Sequence, residues 1–159
     1  DGRNRLNRLI QTVVTGCGIG FLPLATGQCA AGPTVVLVAL IHRASPAWEG
    51  LILGSVLVLF IPVAVIFSTR FSQAKNHSDP SQIVVDEIIG QIVCFMWIPI
   101  STFSLVAGFV LFRFFDIVKP FPVQTCERLS GGMGIVADDV VAGLYAGFSL
   151  RLLLWSIAS

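Results

Sequence analysis

Val85-Asp86-Glu87-Ile88-Ile89-Gly90-Gln91-Ile92-Val93-Cys94-Phe95-Met96-Trp97-Ile98-Pro99-Ile100-Ser101-Thr102-Phe103-Ser104-Leu105-Val106-Ala107-Gly108-Phe109-Val110-Leu111-Phe112-Arg113-Phe114-Phe115-Asp116 runs through the middle of the chain, and its path decides the fold. From Ile88 to Phe112 it is apolar throughout. One unbroken helix there would be long enough to cross a bilayer, which takes about 20 residues. It would also put Asp86 and Glu87 on the opposite side from Asp116. Pro99 stands at the middle of the run beside Ser101-Thr102, and proline removes a helix hydrogen bond. The stretch therefore reads as two helices, about 88–98 and 102–115, folded back as a hairpin that returns to the same face. Each is too short for a full crossing. The expected fold is all-α: a compact multihelical membrane-embedded bundle with short or re-entrant helices, its irregular backbone buried in protein.

The flanking sequence agrees. Gly50 to Phe67 is nearly continuous apolar sequence of spanning length, and Ile135 to Ala158 closes the chain with one basic interruption, Arg151. Leu9 to Leu24 is apolar but glycine-rich, Pro33 to Ile41 is short, and Arg70 to Ser81 is the most polar stretch. The 159 residues suit one domain, 1–159. Hydrophobic residues make up 55% and charged residues 12%, with mean hydropathy +0.86, too little polar surface for a water-soluble globule. Disordered chains, disulfide-stapled modules and typical cytosolic enzymes are excluded, and a net charge of +1 argues against nucleic acid as a partner. Arg3, Arg5 and Arg8 precede a stretch broken by glycines and Pro23, a poor signal peptide, so they read as a cytoplasmic-side anchor. Cys17, Cys29, Cys94 and Cys126 form no CxxC pair and read as reduced, non-ligating thiols.

Nine carboxylates are present, and five of them, Asp86, Glu87, Asp116, Asp138 and Asp139, border or enter apolar segments. Carboxylates at membrane depth are costly and usually mark function. Arg113, Asp116 and Lys119 lie three apart and could form a local ion-pair ladder. That ladder leaves the other four acids unneutralised, because Arg113, Lys119 and Arg128 are the only cations nearby in sequence. The excess suggests a site that recruits a divalent metal, and oxygen ligands suit Mg²⁺, Mn²⁺ or Ca²⁺. Asp79-Pro80-Ser81-Gln82 reads as a helix start, with Asp79 as cap and Asp86-Glu87 about two turns in. Ser130 to Gly134 reads as a flexible turn that leaves Asp138 and Asp139 in or near the first turn of the next helix, where the dipole favours acids.

Three blocks resemble one known family. Ile83-Val84-Val85-Asp86-Glu87-Ile88-Ile89-Gly90 resembles the IVxDExxG block of bacterial phosphatidylglycerophosphatase A. Phe112-Arg113-Phe114-Phe115-Asp116-Ile117-Val118-Lys119-Pro120-Phe121-Pro122 resembles its FRxxDxxKPxP block. The stretch from Gly131-Gly132-Met133-Gly134 through Asp138-Asp139 to Ala142-Gly143 resembles its GGxGIxxDDxxAG block. Together they cover roughly residues 79–143 in order. The resemblance implies a Mg²⁺-dependent phosphatase of the bacterial inner membrane. It would convert the lipid phosphatidylglycerophosphate to phosphatidylglycerol and phosphate, the last step of phosphatidylglycerol synthesis. It also implies a compact multihelical fold.

On that reading Asp86, Glu87, Asp116, Asp138 and Asp139 form the metal-binding set, with one member of each adjacent pair free to orient water or a basic side chain. Arg113 and Lys119 meet the phosphate charge, Arg by a bidentate fork and Lys as a point charge. Gly131, Gly132 and Gly134 bring backbone N–H groups to phosphate at a helix start. His42 and His77 lie in polar connectors and read as solvated, while Trp48, Trp97 and Trp155 fit interfacial anchoring. Arg70, Lys75, Arg113, Lys119 and Arg128 place both motif-bearing connectors, and the active site, on the cytoplasmic face. Two other classes share features: a small ion-binding transporter, which would carry acids at midspan, and a CDP-alcohol phosphotransferase, of whose pattern Asp138-Asp139 with Ala142-Gly143 is a partial echo.

Overall fold

Six helices and no strand make up the described residues, 28–74, 85–126 and 129–159, of the computed structural model. The first, α1 (Gln28–Ala44), ends with His42 and Arg43 in its last turn, where cations meet the carbonyl end of the helix dipole. A tight turn through Pro46 leads to α2 (Glu49–Ala74), which opens on the acid Glu49. His42 Nδ1 lies 2.7 Å from Glu49 Oε2 and ties the two helices across that turn. His42 therefore belongs to the last turn of α1 and not to a connector, and it has a carboxylate partner although its side chain stays partly exposed.

The hairpin expected around Pro99 is present. Helix α3 (Val85–Phe95) is followed by a turn at 96–101 and then by α4 (Thr102–Val118). Ser101 caps α4, accepting from Ser104 N–H at 3.1 Å while Ser104 Oγ accepts from Ser101 N–H at 2.7 Å. At the other end Lys119 takes the left-handed conformation (φ 45°) and Pro120 follows, so the helix stops there. A single turn, α5 (Val123–Cys126), precedes α6 (Gly132–Ala158), which at 27 residues is about 40 Å long. Because α6 begins at Gly132, the expected glycine turn is shorter than its motif. Asp138 and Asp139 consequently lie in the second turn and not the first. Arg3, Arg5, Arg8, the glycine-rich stretch, His77 and the Asp79 cap lie outside the described residues.

Helices α3 and α6 run parallel and touch backbone to backbone. A Cβ on Gly90 would lie 2.6 Å from the carbonyl oxygen of Asp139, one on Gly143 would run into the Gly90 carbonyl, and one on Gly147 would lie 2.8 Å from that of Cys94. Small residues four apart let helices approach this closely, as in membrane bundles. The matched pairs 90/143 and 94/147 keep one offset, and one turn earlier the same register sets Asp86 beside Asp139. At the far end it sets Trp97 beside Arg151, whose Nη1 donates to the Trp97 carbonyl at 3.1 Å.

The bundle is apolar on its outer surface, and its apolar core also encloses several polar side chains. Leu51, Val58 and Leu59 on α2, Val106 and Val110 on α4, and Phe148 and Leu152 on α6 are all exposed. Asp86, Gln91, Ser104, Asp138 and Asp139 are buried. Glu49–Arg70 and Gly132–Ala158 are long and apolar enough to cross a membrane. Trp48, Trp97 and Trp155 are exposed at the end formed by the α1–α2 turn, the α3–α4 turn and the last turns of α6, as interfacial anchors would be. The five motif carboxylates gather toward the opposite end.

Candidate active site

Three elements deliver the five carboxylates of the sequence motifs to one region. Asp86 and Glu87 come from the start of α3, Asp116 from the last turn of α4, and Asp138 and Asp139 from the second turn of α6. The hairpin brings Asp116 back to the level of Glu87, and the glycine contacts between α3 and α6 bring in Asp139. Asp139 lies within electrostatic reach of Asp86, Asp116, Asp138 and Glu87 together. Asp86, Asp138 and Asp139 keep only 7%, 6% and 4% of their surface, so this is a buried acid cluster and not a solvated face.

Two cations from the motifs enter it. Arg113 Nη1 lies 3.0 Å from Asp116 Oδ2 and 3.2 Å from Glu87 Oε1, bridging α3 and α4. Both contacts are ionic by distance but neither has hydrogen-bond alignment, so Nε and Nη1 remain buried donors without an acceptor. Lys119 Nζ donates to Asp138 Oδ2 at 2.7 Å. The expected local ladder is therefore only half formed. Arg113 pairs with Asp116 three residues on, whereas the left-handed turn at Lys119 swings its ammonium across to α6.

Among the described residues, five carboxylates face two cations. Burial holds the Asp86 carboxyl well above the usual carboxylate range against the pull of its hydrogen bond from Glu87 N–H, and the charges of Glu87 and Asp138 push the same way. Burial also raises Glu87, partly offset by Arg113. Glu87 Oε2 is buried with no hydrogen-bond partner among the described residues. Such a set, all oxygen and short of positive charge, fits a hard divalent cation in donor chemistry and in charge. As placed, no three of the carboxylates among the described residues converge closely enough to hold one ion, so binding would require side-chain rotation within the cluster.

The glycines divide in role. Gly131 is the N-cap with φ 67°, a conformation that favours glycine. Gly132 packs against the backbone of α2, and its N–H is engaged by Thr69 Oγ1 at 2.8 Å. Gly134 is buried in the first turn of α6. Cys94 and Cys126 are free; burial pushes the Cys94 thiol up to about 12, so it is inert, as expected of a packing residue. Sequence reasoning passed over Gln91, which is fully buried one turn beyond Glu87. Its signal was visible: it is the lone amide in the apolar run from Ile88 to Phe112.

Comparison with known proteins matches residues 12–154 to the family model of phosphatidylglycerophosphatase A. The phosphatidylglycerophosphatase A of Haemophilus influenzae is 36% identical over 125 residues, covering 67% of this chain and 77% of its own. The Escherichia coli protein of the same name is 33% identical over 137 residues, covering 83% and 76%. A Bacteroides thetaiotaomicron protein that bears the provisional name phosphatidylinositol-3-phosphatase is 33% identical over 151 residues, covering 90% and 92%. No solved structure matches the chain.

Proposed function

The chain belongs to the phosphatidylglycerophosphatase A family, a family of phosphatases, and on that premise we propose that it hydrolyses phosphatidylglycerophosphate to phosphatidylglycerol and phosphate with Mg²⁺. The single observation that carries the reading is the convergence of the three motif blocks. Their five carboxylates and two cations meet at one end of an otherwise apolar bundle.

Asp86, Glu87, Asp116, Asp138 and Asp139 would hold the metal, which when bound supplies Lewis-acid polarisation of the phosphoryl group and a nucleophilic water. The chain's own residues do the rest. Arg113 sits between Glu87 and Asp116 with donors to offer a phosphate oxygen. Lys119 adds a point charge from the adjoining turn, its Nζ held by Asp138. Gly131 and Gly134 lie at the α6 start beside the cluster and can bring main-chain N–H groups to the phosphate, whereas Gly132 keeps the helix docked on Thr69. The acyl chains stay against the apolar exterior.

The same geometry supports a membrane placement. From Asp139 to Arg151 α6 rises about 18 Å, so the cluster lies well short of the far side of a hydrocarbon core about 30 Å thick when the tryptophans sit at one interface. Among the described residues Arg70, Arg113 and Lys119 lie at the carboxylate end, against Arg43 and Arg151 at the tryptophan end, which supports a cytoplasmic active site on a bacterial inner membrane.

The test is phosphate release by purified protein in mixed micelles. Phosphatidylglycerophosphate should be turned over with Mg²⁺ and left intact in EDTA, and soluble glycerol 3-phosphate should be a poor substrate. The Bacteroides relative, which matches nine-tenths of the chain, makes phosphatidylinositol 3-phosphate the competing substrate. Faster release from that lipid would overturn the headgroup assignment, and full activity in EDTA would overturn the metal.

A further inference from the structure

Gln91 has no exposed surface, and among the described residues neither its amide oxygen nor its amide nitrogen has a hydrogen-bond partner. Protein interiors seldom leave both ends of an amide unpaired. Glu87 and Arg113, at the neighbouring level of the site, carry three more buried orphan atoms, the acceptor Glu87 Oε2 and the donors Arg113 Nε and Nη1. Residues 87 and 91 are i,i+4 neighbours on α3, with Cβ atoms about 5–6 Å apart. Glu87 Oε1 in turn lies 3.2 Å from Arg113 Nη1. The unmet needs are complementary: a carboxylate oxygen lacks a donor, a guanidinium N–H lacks an acceptor, and one side chain carrying both groups lies a turn away.

We propose that Gln91 is a positioning residue of the active site, its amide N–H donating to Glu87 Oε2 and its amide oxygen accepting from Arg113 Nε. Held from the bundle side in this way, Glu87 and Arg113 keep one mutual geometry, and the outer edge of the guanidinium is left to the substrate. The bridge itself follows from the buried atoms. Its consequence for turnover rests on the phosphatase reading. Ordinary packing does not explain the residue, because methionine would fill the same length of an apolar core and leave no polar atom unpaired.

Gln91→Met in the full chain, purified in detergent, tests this, with Gln91→Leu as a second variant should the thioether not be accommodated. Thermal unfolding is measured for Gln91→Met, for Glu87→Gln and for the double variant, alongside kcat and KM. The bridge predicts a folded Gln91→Met protein with kcat lowered about tenfold, the lower end for losing an orienting partner, and KM little changed. It also predicts that Gln91→Met shifts Tm by different amounts in the presence and absence of the Glu87 carboxylate, since residues in contact do not add. Additive Tm shifts overturn the bridge, as does unchanged kcat in an active enzyme. Loss of the fold in both Gln91 variants overturns it too, by making the amide a folding requirement. Failure of the unmutated protein to release phosphate would count against the function, while the thermal cycle would still decide the bridge.

Discussion

Gly90→Ala puts one methyl group where α3 meets both α4 and α6. The new Cβ would lie 2.6 Å from the Asp139 carbonyl oxygen and 2.6 Å from Phe112 Cε2. The ring edge can shift, but the carbonyl belongs to a helix backbone and moves only with α6. Reaching ordinary contact at 3.4 Å requires the helices to part by about 0.8 Å, and overpacking of this kind costs about 1–3 kcal/mol. Asp139 is part of that contact and Asp86 lies one turn from it, so their separation opens with it, and a displacement near 1 Å at reacting groups can cost about 10²-fold in rate. Gly50→Ala is the matched control, because nothing lies within 4 Å of its added Cβ. There, alanine in a helix should stabilise by about 0.5–1 kcal/mol. Thermal unfolding and phosphate release measured on both variants decide the matter. Gly90→Ala should melt lower and lose most turnover, and Gly50→Ala should melt slightly higher with turnover intact. Equal stability and activity in the two would refute the argument that the glycine contact sets the site.

Asp86→Asn, Asp116→Asn and Asp139→Asn should each lower Mg²⁺-dependent phosphate release by about 10²-fold or more, the scale for losing a strong electrostatic contributor. For Asp86 and Asp139, which meet no cation among the described residues, Tm in EDTA should hold or rise. Lys119→Met should destabilise the protein, because it leaves the buried Asp138 carboxylate without its 2.7 Å partner, and a melting curve unchanged from the unmutated protein would count against that pair. In EDTA the protein should lose stability as pH rises. Asp86 and Glu87 have folded pKa values above their unfolded ones near 3.8 and 4.5, so the native state binds more protons from about pH 4 up to the raised values, and unfolding becomes easier across that window. Asp116, Asp138, Asp139 and Arg113 face the same pair, and adding Mg²⁺ should flatten the slope; a Tm rising with pH in EDTA would contradict it.

The hairpin was legible because two local signals agreed. Pro99 interrupts the apolar run and Ser101-Thr102 stand beside it, where the structure has Ser101 capping the next helix. The helix ends were less so: α4 continues to Val118, past the expected end at 115, and stops where Lys119 turns left-handed ahead of Pro120. The carboxylates could be named from the sequence, since acids bordering apolar segments stand out. Their partners could not. Whether Lys119 continues the α4 ladder or crosses to Asp138 depends on one backbone dihedral, and whether Arg113 serves Glu87 as well as Asp116 depends on how the hairpin closes. Gln91 escaped notice because an amide in an apolar run resembles a tolerated exception until its burial and its missing partners are known. Gly90 and Gly143 were read as parts of motif blocks, and nothing in either block says that the two helices touch there.

That contact explains how a cluster of five acids and two cations persists. The hydrophobic effect drives little association between helices whose outer surfaces face lipid, since Val58, Val106 and Phe148 gain nothing by leaving an apolar solvent. The acids themselves repel. What remains to hold α3 against α6 is close packing, and it is tightest where Gly90 meets Gly143 and Cys94 meets Gly147, one and two turns from Asp86 and Asp139. Stability and site geometry therefore depend on the same few atoms. Charge removed from the cluster should relieve the fold, while volume added at the contact should damage fold and turnover together. Asp139→Asn combined with Gly90→Ala separates the two: the asparagine should recover part of the lost Tm and none of the lost activity.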